Sequence, residues 1–156
     1  MLLVIAGLVL FSLLAININK TIANSSEQTD KAAYLAMATS IGQNLINRIS
    51  SKAFDQGTIS NPPYSAGILT PAASLGPEAG ETPGTYNDVD DFNGYLETDT
   101  TAYTGIFHSS VLVNYVSESN PDSLLTNSTS RTKRIEVLVA NNFMPDTVKL
   151  YYYKSY

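Results

Sequence analysis

A chain of 156 residues, 44% of them hydrophobic, has room for one modest domain and an appendage. Its net charge of −5 argues against nucleic acid, which wants a Lys/Arg-rich face, so no nucleic-acid partner is expected. Zero cysteines exclude a disulfide framework, a thiolate nucleophile and cysteine-bound metal centres, and the single histidine, His108, excludes a histidine triad or zinc site.

The first nineteen residues carry no charged side chain. Met1, Leu2, Leu3, Val4, Ile5, Ala6, Gly7, Leu8, Val9, Leu10, Phe11, Leu13, Leu14 and Ile16 make a run apolar on every side, relieved only by Gly7 and Ser12. A hydrocarbon core of about 30 Å needs about 20 such residues as a helix. Such a helix must be enclosed by lipid or by protein, so residues 1–25 are expected to form a helix that spans a membrane or is buried among other chains. Ala6, Gly7 and Ser12 are small enough to let another helix come close; as incidental members of a lipid-facing helix they would look the same. No basic n-region precedes the run and no small-residue cleavage site follows it, so the segment is expected to be kept rather than removed as a secretory signal.

From Ile18 the pattern becomes one-sided. Tyr34, Ala38, Ile41, Leu45 and Ile49 step by four, three, four and four, the stripe of a helix with one buried face. No proline precedes Pro62, so the helix is expected to continue to about residue 55, with an amphipathic part over 26–55. The stretch 17–29, rich in Asn, Ser and Thr, is its weak point. A kink, an unwound segment or a restart capped by Asn24, Ser25 or Ser26 is expected there. Gly57 and Asn61-Pro62-Pro63 signal the helix end.

Residues 56–105 read as a long irregular loop, holding five of the seven prolines and seven of the nine glycines. It is acidic: no Lys or Arg lies between Lys52 and Arg131. Asp88, Asp90, Asp91 and Asn93 crowd enough oxygen into six residues to hold Ca²⁺, without matching an EF-hand loop, which wants a ligand where Phe92 stands. The competing reading is a solvated turn whose Asp, Asn and Gly satisfy backbone groups. No other cofactor is suggested.

Residues 106–156 read as antiparallel sheet. Val111, Val113 and Tyr115 alternate with polar or outward positions, as do Ile135, Val137 and Val139, and then Val148, Leu150 and Tyr152. That phase puts Tyr152 in the core and Tyr151 and Tyr153 outside. Residues 141–146 suit a hairpin connection, and Ser117 to Ser130 a polar loop. The expected fold is therefore α+β: a long N-terminal helix packed on a C-terminal antiparallel sheet of three or more strands, with residues 26–156 as the headpiece. Basic Arg131, Lys133, Arg134, Lys149 and Lys154 lie in the sheet and the acids in the loop, so one molecule's sheet facing another's loop would give registry; a solvated surface is the alternative. Sequons stand at Asn19, Asn24 and Asn127, and Asn127, in the polar loop, is the one expected to be exposed in any packing and open to glycosylation.

In their order, three stretches resemble the type IV pilin-like superfamily of pilins, minor pilins and type II secretion pseudopilins. Met1-Leu2-Leu3-Val4-Ile5-Ala6-Gly7 resembles a mature N-terminus. Residues 36–55 (AMATSIGQNLINRISSKAFD) resemble the helix segment of minor pilins and pseudopilins, and residues 131–156 their closing hairpin. The family usually carries Glu at the fifth mature position, where this chain has Ile5, so register is set differently or the count begins elsewhere. Lys20 beyond the span predicts a cytoplasmic C-terminal side, which a basic leader removed upstream would reverse. The resemblance implies a structural subunit, not an enzyme, of an extracellular helical homopolymer. Before assembly it would reside in the inner membrane and meet a prepilin peptidase and a pilus or secretion assembly machinery. A minor pilin, a pseudopilin and a single-span anchored binding domain are the alternatives.

Overall fold

The computed structural model describes residues 1–60 and 68–156; the Asn61-Pro62-Pro63 stop signal falls outside them. Helix α1 spans Leu2–Ser50 without a break, about 74 Å at 1.5 Å per residue. The expected unwound segment or restart at 17–29 does not occur, and none of Asn24, Ser25 and Ser26 caps a new start. The hydroxyls there do compete for backbone acceptors, but within the helical register. Thr21 Oγ1 donates to the Asn17 carbonyl (3.0 Å) and Thr29 Oγ1 to that of Ser25 (2.9 Å). A bond to the i−4 carbonyl shares an acceptor already used by the helix and leaves the turn closed.

The helix ends at Ser50, short of residue 55, because the next backbone groups find partners elsewhere. Ala53 N–H donates to the Asn87 carbonyl (3.1 Å) and Val89 N–H to the Ala53 carbonyl (3.1 Å), a bridge between the helix exit and the acidic loop. That loop is less irregular than its Gly/Pro content suggests. It contains helix α2 (Gln56–Ser60), 3-10 turns at Ala72–Ser74 and Asp90–Phe92, and strand β1 (Leu96–Thr101). The sheet thus begins at residue 96, not 106. LETDTT lacks apolar alternation, so this edge strand owes its place to its pairing with the next one.

Strands β2 (Gly105–Val116), β3 (Leu124–Leu125), β4 (Thr132–Asn141) and β5 (Val148–Ser155) complete an antiparallel five-stranded sheet of order β1-β2-β4-β5, with β3 on the end of β2. Val111 faces Val137 and Val113 faces Ile135 across β2 and β4, putting the branched side chains on one face. Against that face lie Ala38, Leu45 and Ile49 of α1, buried, with Tyr34 and Ile41 half-buried, as the stripe predicts, and Ile46, outside that stripe, is buried with them. Helix and sheet meet closely at Gly42, where an added Cβ would stand 2.6 Å from Leu150 Cδ1. Phe54, Leu69 and Tyr115 form a second, smaller apolar cluster where the chain leaves the helix.

Tyr152 departs from its expected place. It is 37% exposed, comparable to Tyr153 at 39%. β5 is the outer edge of the sheet, so even an inward-phased side chain there has sheet neighbours on one flank only.

Candidate functional site

Two parts of the molecule stand out chemically: a bare apolar rod and a buried knot of charge. Ahead of Tyr34 every described side chain of α1 is exposed apart from half-buried Ala15. Some 33 residues, about 50 Å of helix, therefore project from the headpiece. Met1, Leu3, Val4, Ile5, Leu8, Val9, Leu10, Phe11, Leu13, Leu14 and Ile16 are all at least half exposed, up to 88% for Leu3 within the helix. The Ser12 hydroxyl donates to the Leu8 carbonyl (2.8 Å), so even the polar member of the run turns its proton inward. Gly7 has nothing within 4 Å of where a Cβ would be, leaving a notch on the rod. Among the described residues this is the one helix long and apolar enough to cross a membrane. At about 25 cal/mol per Å², covering such a run would be worth tens of kcal/mol against water, as an upper bound. The headpiece supplies none of that cover.

The knot lies below the sheet. Lys133 follows the inward phase of β4, fully buried, and spends its three donors on the Phe54 carbonyl (2.8 Å), Asp55 Oδ2 (2.9 Å) and Asp90 Oδ1 (2.6 Å). Its ammonium also sits 4.7 Å from the Phe54 ring centroid and 5.1 Å from that of Tyr115. Tyr115 donates its hydroxyl to Asp55 Oδ2 (3.0 Å) and the Thr70 carbonyl (2.9 Å). Burial would raise the Asp55 carboxyl. The hydrogen bond and charge of Lys133, with the amides of Thr70 and Gly57, outweigh it and hold Asp55 below the usual carboxylate range. Asp88 goes the other way: burial first, then the hydrogen bond and charge of Asp90 and the charge of Asp91, push it up to about 8. It thus keeps its proton at neutral pH.

The knot answers both readings of the acidic stretch. Asp88 Oδ1 accepts the N–H groups of Asp90 (2.9 Å) and Asp91 (3.3 Å), and Asp91 Oδ2 those of Asn87 (2.8 Å) and Asp88 (3.1 Å). Asn93 is turned away, its oxygen accepting from Val113 N–H (3.0 Å) and its amide donating to the Leu75 carbonyl (3.0 Å). Asp88, Asp90, Asp91 and Asn93 are therefore not brought together as one ligand set. Nor are the aspartates a solvated turn, since all three are buried. Attraction between acidic loop and basic sheet is used inside the molecule, by Lys133 on Asp55 and Asp90. On the periphery Arg48 pairs with Glu97 across the helix–sheet seam, and Arg134 with Glu136.

The sequence reading missed Asp55 and Tyr115 as partners of Lys133. The available signal was phase: a lysine at the apolar beat of Lys133, Ile135, Val137 and Val139 calls for a buried counter-charge. His108 is exposed beside β1, its Nδ1 3.3 Å from Thr98 Oγ1. Asn127 is exposed in the β2–β4 connection; Asn19 and Asn24 are exposed on the rod. Compared with family models, curated proteins and solved structures, the chain matches none.

Proposed function

We propose that the protein is a structural subunit of an extracellular, type IV pilus-like filament that assembles through the apolar half of α1. One observation carries the reading: about 50 Å of helix, its first sixteen residues apolar on all sides, stands outside a headpiece whose core closes without it. Such a surface is stable only when lipid or protein encloses it, and copies of the same helix would serve. Lipid holds the subunit before assembly; bundled helices replace the lipid afterwards, with the sheets outside. Passage from the inner membrane, a prepilin peptidase and an assembly machinery follow from the sequence resemblance alone. A minor pilin or secretion pseudopilin would use the same rod at a tip or in a short pseudopilus.

The absence of cysteine makes the test specific. Single cysteines placed at Leu8, Phe11 or Ile16 of the full chain are cross-linked before and after detergent removal, and the product is imaged by electron microscopy. Filaments with ladders of linked subunits are expected. Detergent-free vesicles holding only unlinked monomers would establish the single-span anchored domain instead.

A further inference from the structure

We propose that Glu78, Glu81 and Asp91 form a binding site for one divalent cation, with Ca²⁺ the ion that suits their donors. One carboxylate oxygen from each lies within 4.8 Å of the other two. Two oxygens bound to one Ca²⁺ at about 2.4 Å stand at most about 4.8 Å apart, so the three can share an ion with little movement. Hard oxygen donors without imidazole or thiolate select calcium or magnesium over zinc, and a set drawn from an irregular loop suits calcium's flexible coordination better than magnesium's strict octahedron.

Proximity of acids alone would carry no weight. The second observation is Asp91. It is 1% exposed, and its Oδ1 has no hydrogen-bond partner while Oδ2 is held by the N–H groups of Asn87 and Asp88. A buried carboxylate oxygen met by no N–H donor costs free energy unless a proton or a cation meets it, and burial, with Glu81 and Asp91 alongside, pushes Glu78 up to about 7. Beside it, Asn87 donates its amide to Glu81 Oε1 (2.9 Å) and leaves its own Oδ1 buried and unpartnered, a neutral fourth oxygen. Glu81 is further positioned by Glu78 N–H on its Oε2 (3.2 Å). Among the described residues none of the three carboxylates takes part in an ion pair; Lys133, the buried cation of this region, is spent on Asp55 and Asp90. Glu78 is exposed, which gives the ion a way in. The site is separate from the Asp88, Asp90, Asp91 and Asn93 set, sharing only Asp91. It is independent of the filament reading, because it needs only the headpiece loop.

The test uses the full chain in detergent, with terbium as probe and buried Tyr86 nearby in the loop as sensitiser. Tyrosine-excited emission should saturate at one ion per chain and be displaced by Ca²⁺ more readily than by Mg²⁺. Glu78→Gln, at an exposed position where the fold has little to lose, should weaken Ca²⁺ binding about tenfold or more, with an unchanged circular dichroism spectrum. Glu118→Gln, in the β2–β4 connection, should leave it as it was. The absence of a saturable signal up to about 10⁻³ M, the weak end for extracellular calcium modules, would overturn the proposal, and so would wild-type affinity in Glu78→Gln.

Discussion

Lys133 occupies a position where β4 otherwise places Ile135, Val137 and Val139, and its ammonium is the one group that makes the buried Asp55 and Asp90 tolerable together. Lys133→Met removes the cation and leaves two carboxylates facing each other. We expect a loss of about 3–5 kcal/mol, read as a lower urea midpoint, partly restored by adding Asp90→Asn. Tyr115→Phe removes a donor to Asp55 and Thr70 and should cost about 1–2 kcal/mol by the same measurement. The two shifted carboxyls act at opposite ends of the pH scale. Asp55, depressed in the fold, contributes stability above its unfolded pKa that is lost as pH falls through the lower folded value. Asp88, raised to about 8, favours the fold while protonated, and that contribution fades as pH climbs from its ordinary carboxylate range through 8. Asp88→Asn, which can still accept the Asp90 and Asp91 amides, should flatten the decline on the alkaline side, measured as thermal midpoint against pH.

At the scale of elements, the α1–sheet seam has little slack. Gly42→Ala gains about 1 kcal/mol of helix propensity but sets its Cβ 2.6 Å from the movable end of Leu150 and 3.3 Å from buried Val139 Cγ2, whereas Gly42→Leu must push β5 aside and should cost about 1–3 kcal/mol in thermal unfolding. Gly57→Ala is harsher than Gly42→Ala, because its Cβ would fall 1.9 Å from the Ile68 carbonyl oxygen, and backbone cannot swing away. The same elements show what a one-dimensional reading can hold. The stripe from Tyr34 to Ile49 was legible because helical spacing itself puts those residues on one face. The alternation of β2 and β4 was legible for the matching reason. The unbroken passage through 17–29 was not, since composition reports that Ser and Thr compete for carbonyls but not which carbonyl they take. β1 was hidden because nothing in LETDTT alternates; its identity is a property of its pairing with β2.

For the whole molecule, rod and headpiece are energetically separable. Among the described side chains, removing residues 1–30 takes away none that is buried. The shortened chain should melt at the same temperature as the full one, stay in solution without detergent, and remain monomeric by light scattering. A melting point lowered by many degrees would mean that the rod supports the headpiece fold. The apolar rod was legible from composition. The knot was not, since Lys133 and Asp55 are 78 positions apart and meet only through the way α1 hands the chain to the sheet.

The last strand returns to the middle of the chain: Lys154 donates to the carbonyls of Ser50 and Lys52, and the Tyr156 ring lies 5.7 Å from that of Phe54. These contacts bridge about a hundred residues, so they cannot form while the ribosome still holds the C-terminal segment. Helix α1 emerges first and then waits, its stripe uncovered, for the closing hairpin. High contact order of this kind slows folding and lengthens exposure to aggregation. Insertion of the apolar segment into a bilayer, as the proposed function requires, would tether the nascent chain and keep it from its neighbours until β5 has been made and the headpiece can shut.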